Sequence, residues 1–137
     1  MITNYINTGK AKLYYRNFPL TTVHQYALNA SLAAECANEQ GKFWEYHDKL
    51  FANQNSLTVT DLKSYAAGLG LNTAQFDSCL DTSKYNSTVM QDETDGIAYG
   101  IGGTPTFIIG TPAKGYQLVV GAVPYDQIKS VIDSYAS

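Results

Sequence analysis

The sequence predicts an α/β domain in which one strand precedes a long helical block, and two further strands and a helix close the chain. Three observations carry this. Lys12-Leu13-Tyr14-Tyr15-Arg16 is aromatic and β-rich, and Phe18-Pro19 closes it. From Thr22 the apolar residues recur at three and four, the period of a helix. Near the end, Gly102-Gly103-Thr104-Pro105 leads straight into the apolar run Phe107-Ile108-Ile109. Proline cannot donate to a sheet ladder, so Pro105 reads as the first residue of a strand that starts abruptly. Helices between a strand and a two-stranded hairpin fit an α/β domain with a helical insertion.

At 137 residues the chain amounts to one domain with a proper core, residues 1–137. Apolar residues make up 45% and charged ones 15%, with a formal net charge of −3. No basic cluster stands out, so the electrostatic footprint of a nucleic-acid binder is missing. No apolar run approaches the length of a membrane span. The N-terminus lacks an apolar signal core: either a leader has been removed from this chain or it never carried one. The eleven tyrosines, the many Asn, Thr and Ser and the few Lys and Glu suit an envelope or extracellular setting. Asn29-Ala30-Ser31 and Asn86-Ser87-Thr88 are sequons, though such triplets are common by chance.

In chain order, residues 1–8 suit a helix end stopped by Gly9. After the strand at Lys12–Arg16, the helix begun at Thr22 carries Val23, Tyr26, Ala27, Ala30, Ala33, Ala34 and Ala37. This stripe of small residues lets helices approach closely, and Gly41 breaks it. Phe43, Tyr46, His47, Leu50 and Phe51 mark a second helix to about Asn53. Thr60 is the expected cap of a third, which stops at Gly68 or Gly70. Asn72, with Gln75 three residues on, opens a short helix through Phe76, Cys79 and Leu80. Ser83 is the expected cap of a longer one towards Tyr99. Then come the Thr-Pro strand, a hairpin at 112–115, the strand Gln117 to Val120, and a last helix. Pro124 suits the first position of that helix, and Tyr125, Ile128, Val131, Ile132 and Tyr135 its buried face.

Several of these stretches resemble a known family. Gly103-Thr104-Pro105-Thr106-Phe107 ahead of a strand, a second strand and a helix is similar to the cis-proline loop of the thioredoxin superfamily. Tyr15-Arg16-Asn17-Phe18-Pro19-Leu20 resembles the Tyr-Arg-Asp-Phe-Pro-Leu strand end of DsbA-like thiol–disulfide oxidoreductases. The stretch from Ala33 to Asp48 resembles that family's helical insertion, and Cys79-Leu80-Asp81, Lys84-Tyr85 and Gly121-Ala122-Val123-Pro124-Tyr125 fall where the family has them. The resemblance implies a thioredoxin-like fold with a helical insertion at about 22–82. It also implies thiol–disulfide chemistry on exported proteins or peptides, without an organic cofactor, in the cell envelope or outside the cell.

The family carries its chemistry in a Cys-x-x-Cys at the start of its first long helix, where the dipole and free amides favour thiolate. This chain has no Cys-x-x-Cys. Set against the family, it lacks the first strand, the catalytic pair and most of the helix behind them. No catalytic residue can be assigned, and the chain as it stands is expected to be redox-inactive. The missing strand would lie between Lys12–Arg16 and Thr106–Ile109, leaving two strand edges. The chain is expected either to close the gap by pairing them directly or to fill it as a homodimer through them. The alternative to an oxidoreductase domain is a non-enzymatic relative that binds peptides or partners.

Of the residues left to carry chemistry, Gly103, Thr104 and Pro105 are the candidate substrate loop. In the family the residue before the cis-proline offers backbone groups to an extended chain, a form of strand addition. The plain reading is a structural kink. Cys36 and Cys79 lie on apolar faces and neither opens a helix, so a structural disulfide between them is preferred over inert thiols or a redox pair. Such a bridge implies an oxidising compartment. His24 and His47 could join the cysteines at a metal, but no short chelating step links them, and none is assigned. His47 reads as a packed core histidine, His24 as a helix-start residue, and Trp44, with Phe43 and Tyr46, as core.

Overall fold

The computed structural model describes residues 1–136, a mixed α/β arrangement of helices and one small two-stranded sheet. It forms two compact units. One runs from residue 17 to 95; the other joins Met1–Arg16 to the chain from Gly96 onward.

The helical unit holds α1 (Ala27–Asn38), α2 (Phe43–Ala52), α3 (Val59–Gly68), α4 (Thr73–Asp81) and most of α5 (Asn86–Ala98). Its core sets the small side of α1 (Ala33, Cys36, Ala37) and Leu32 against Tyr46, Leu62, Ala66, Phe76, Cys79, Leu80 and Val89. Burying Tyr46 completely leaves its hydroxyl in need of a partner; it donates to the Leu62 carbonyl at 2.8 Å, and burial pushes its pKa up. Its ring lies 5.5 Å from that of Phe76.

Helix ends differ from the sequence expectation in three places. The first helix begins at Ala27 rather than Thr22: residues 21–26 are mostly turns, and Val23 is 68% exposed, so no burial draws that segment into the helix. Thr58, not Thr60, caps α3, because Thr58 has Asp61 three residues on. The Asp61 N–H donates to the Thr58 hydroxyl, and the Asp61 carboxylate accepts from the Thr58 N–H at 3.0 Å. Ser83 does not cap α5. It sits in the left-handed region at φ 48° and closes α4 instead. Its N–H reaches the Leu80 carbonyl and the Lys84 N–H reaches Cys79. Asn72 does cap α4, accepting from the Gln75 N–H at 3.0 Å.

The strand unit contains one π-helical turn (Ile2–Ile6), the hairpin β1 (Thr106–Thr111) and β2 (Gly115–Val120), and α6 (Tyr125–Ala136). The strands are antiparallel, with Phe107 opposite Val119 and Ile109 opposite Gln117. Gly110 is required by close approach: a Cβ there would stand 2.1 Å from the Gly115 carbonyl oxygen. Tyr5, Ile128 and Ile132 form a small core, with Phe107, Ile109, Val123 and Ala11 packed on it. Tyr5 donates to Asp133, which Lys129 also meets at 2.6 Å. The other face of the hairpin, with Ile108, Tyr116, Leu118 and Val120, stays exposed.

The strand expected at Lys12–Arg16 does not form. That segment joins no ladder, and the only described sheet is β1–β2. A strand exists through its pairing partner, and β propensity in Leu-Tyr-Tyr does not replace one.

Candidate functional site

The proline loop belongs to the strand unit. Ile101 to Pro105 connects the end of α5 to β1, and Thr106, the next residue, is the first in the ladder. The Thr104–Pro105 peptide bond is cis. Thr104 and Pro105 are exposed and Gly103 is half-buried. Two bonds hold its proline end. The Thr106 hydroxyl donates to the Gly103 carbonyl at 2.8 Å, and the Gly121 N–H donates to the Pro105 carbonyl at 2.8 Å. Gly121 leaves β2 at φ 91°, a conformation that favours glycine. No ionisable side chain occurs from Gly102 to Thr111, so the loop offers backbone groups, threonine hydroxyls and apolar contact in place of charge.

Among the described residues, β1 pairs on one side alone. The Gly121–Pro105 bond fixes the phase of the ladder, so Thr106, Ile108 and Gly110 direct their N–H and C=O groups away from β2. An uncharged, proline-free strand with one open side is a template for an added strand. An open groove of about 410 Å³ in the same unit is lined by Ile6, Gly9, Ala11, Lys12, Leu13 and Tyr14.

The cysteines lie in the helical unit and are joined: Cys36 on α1 bonds Cys79 on α4, their Cα atoms 5.9 Å apart. Both are buried, at 1% and 5% exposure, and no free cysteine remains among the described residues. Glu39, one turn beyond Cys36, accepts from Lys84 at 2.7 Å, Gln75 at 3.1 Å and Tyr85 at 3.1 Å. The Lys84 ammonium, with help from Gln75, holds the Glu39 carboxyl below its ordinary range.

The histidines go elsewhere. His24 is exposed in the turns before α1. His47 is half-buried rather than core, its ring 4.6 Å from Phe51 and 5.4 Å from Trp44, with Asp48 at 3.0 Å. Trp44 is also not core: it is 43% exposed, because the buried position on that turn of α2 goes to Tyr46.

Sequence reasoning missed a buried polar knot. Asn17 is 4% exposed; its amide donates to Asp92 at 3.0 Å and to Glu35 at 2.7 Å, and its own N–H donates to Asp92. The available signal was Asn17 itself, standing where the similar family motif has Asp. The roles of Thr106 and Gly121 were also missed, though both stand within quoted motifs.

Comparison with known proteins finds both a family and individual relatives. The thioredoxin family model matches residues 1–134. A protein of Salinispora tropica called Na(+)/H(+) antiporter NhaA 3 is 42% identical over 104 residues, covering 76% of this chain and 16% of that protein. Na(+)/H(+) antiporter NhaA 1 of Salinispora arenicola is 37% identical over 109 residues, 80% of this chain and 16% of its own length. Na(+)/H(+) antiporter NhaA of Herminiimonas arsenicoxydans is 36% identical over 86 residues, 63% of this chain and 14% of its own. The chain thus spans only a small part of the curated relatives it matches. No solved structure matches it.

Proposed function

This chain belongs to the thioredoxin family, and we propose that it is a DsbA-like member that recognises extended segments of exported proteins. As it stands, it is a peptide-recognition domain without exchange chemistry. The observation that carries the reading is the Gly103-Thr104-Pro105 loop at the head of a strand with one open side. An extended thiol- or disulfide-bearing chain would add along that side, held by backbone hydrogen bonds. Exchange needs a thiolate nucleophile, and the chain's two cysteines are consumed by each other and buried. The bridge itself favours an oxidising setting, the envelope or the exterior. No described helix is long and apolar enough to cross a membrane. The transport in the relatives' names belongs to those proteins, of which this chain matches about a sixth or less.

Titrating the folded chain with a short acetylated peptide, alternating threonine and valine around one alkylated cysteine, tests the reading by NMR. Shifts confined to Thr104, Thr106 and Ile108 are expected; their absence at millimolar peptide overturns it. An insulin-reduction assay should show no turnover above background, and turnover would refute the inert reading. The same open edge supports a second proposal, a homodimer paired through β1. Light scattering should then show a dimer that Ile108→Lys returns to monomer, whereas a wild-type monomer at high concentration removes the dimer.

A further inference from the structure

We propose that Thr106 is the positioning residue of the proline loop: its hydroxyl ties down the Gly103 carbonyl and so frees the Thr106 N–H for an incoming extended chain. The proposal rests on the peptide-recognition reading above.

The division of labour follows from the ladder. A turn of four residues is ordinarily closed by the fourth residue's N–H bonding the first residue's carbonyl. From Gly103 to Thr106 that bond would use the Thr106 N–H. The phase set by the Gly121–Pro105 bond instead turns the Thr106 N–H outward, to the open side of β1. The side chain takes over, with Oγ1 donating to the Gly103 oxygen at 2.8 Å. Gly121 then holds the carbonyl of Pro105. The loop is tethered on both sides of the proline, and neither tether uses a backbone donor on the open side of β1.

Valine matches threonine in shape but lacks the hydroxyl, and serine keeps the hydroxyl. In Thr106→Val, amide hydrogen exchange at Gly121 should quicken roughly five- to tenfold, the size one hydrogen bond carries. Gln117, farther along the ladder opposite Ile109, should keep its rate. Affinity for the threonine–valine peptide should fall by a similar factor, with the melting temperature lower by only a few degrees. Thr106→Ser should restore both. Unchanged exchange at Gly121 in Thr106→Val overturns the positioning role even where the wild type binds peptide. A wild type that binds no peptide overturns the recognition part, together with the reading beneath it. Equal losses in the valine and serine variants also count against the hydroxyl.

Discussion

The helical unit and the strand unit satisfy their backbones in opposite ways. In the helical unit every helix makes its own hydrogen bonds, and the packed side chains of α1, α2, α3 and α4 then fill one core that a covalent bridge crosses. In the strand unit the ladder is half made. Among the described residues, one side of β1 has a partner strand and the other has none; one face of the hairpin carries α6 and the other exposes Ile108, Leu118 and Val120. Helical structure is complete within a segment, whereas sheet structure is complete only across segments. A chain can therefore be closed in one unit and open in the other. The open unit also carries the loop for which peptide binding is proposed, where unsatisfied backbone would be useful.

The sharpest way to break this contrast is to cut the bridge. The double variant Cys36→Ala, Cys79→Ala removes a link between residues 43 apart, worth about 4 kcal/mol in the loop-closure account. Urea unfolding followed by the fluorescence of Trp44, the chain's one tryptophan, reports the helical unit. Its midpoint should fall strongly while amide exchange at Val119 in the hairpin keeps its rate. Equal loss in both would mean that the two units share one cooperative transition.

Next in size is Asn17→Asp. The Asn17 amide supplies the donors that Glu35 and Asp92 accept, in a site nearly closed to water. A carboxylate there turns both contacts into like-charge approaches, at a cost of about 3 kcal/mol near neutral pH. Burial beside two acids raises the new group's folded pKa above its unfolded value. The penalty is therefore full at neutral pH and fades as pH falls through that raised value, since the protonated acid is again a donor. A pH-independent loss in thermal unfolding would show that shape, not charge, governs the knot.

How much of this was legible depends on how local each signal was. Helical periods, the Asn72 cap and the glycine stops at Gly41 and Gly70 depend on neighbours within a turn, and they were readable. The strand at Lys12–Arg16 depended on a partner elsewhere in the chain, and propensity alone misassigned it. Gly103, Thr104 and Pro105 could be named from motif, but the Thr106 and Gly121 tethers depend on ladder phase, which no spacing shows. Trp44 and Tyr46 are two residues apart on α2; which of them turns inward is decided by α3 and α4, beyond what the period of α2 specifies.

A smaller effect lies at Glu39. Its carboxyl is held low by Lys84, so its contribution is present above the unfolded carboxylate value of about 4.3 and is lost as pH falls through the folded value. Glu39→Gln should flatten the acid limb of helical-unit stability over that window and leave stability at high pH only slightly reduced. An unchanged acid limb would mean that the contacts to Lys84, Gln75 and Tyr85 carry no net coupling.

The smallest change should stabilise. α1, α3, α5 and α4 end in the same pair of bonds: Gly41 to Asn38 with Lys42 to Ala37, Gly70 to Ala67 with Leu71 to Ala66, Gly100 to Ile97 with Ile101 to Gly96, and Ser83 to Leu80 with Lys84 to Cys79. Glycine occupies the left-handed position in the first three, at φ 73°, 74° and 82°, and serine occupies it after α4 at φ 48°. An L side chain in that region costs roughly 1–2 kcal/mol that glycine avoids, partly offset by the greater freedom glycine gives the unfolded chain. Ser83→Gly should therefore raise helical-unit stability by about 0.5–1 kcal/mol in the same urea measurement, with the hairpin unaffected. A loss instead would mean that the unfolded-state entropy outweighs the strain at this helix end, so that serine suits it as well as glycine suits the others.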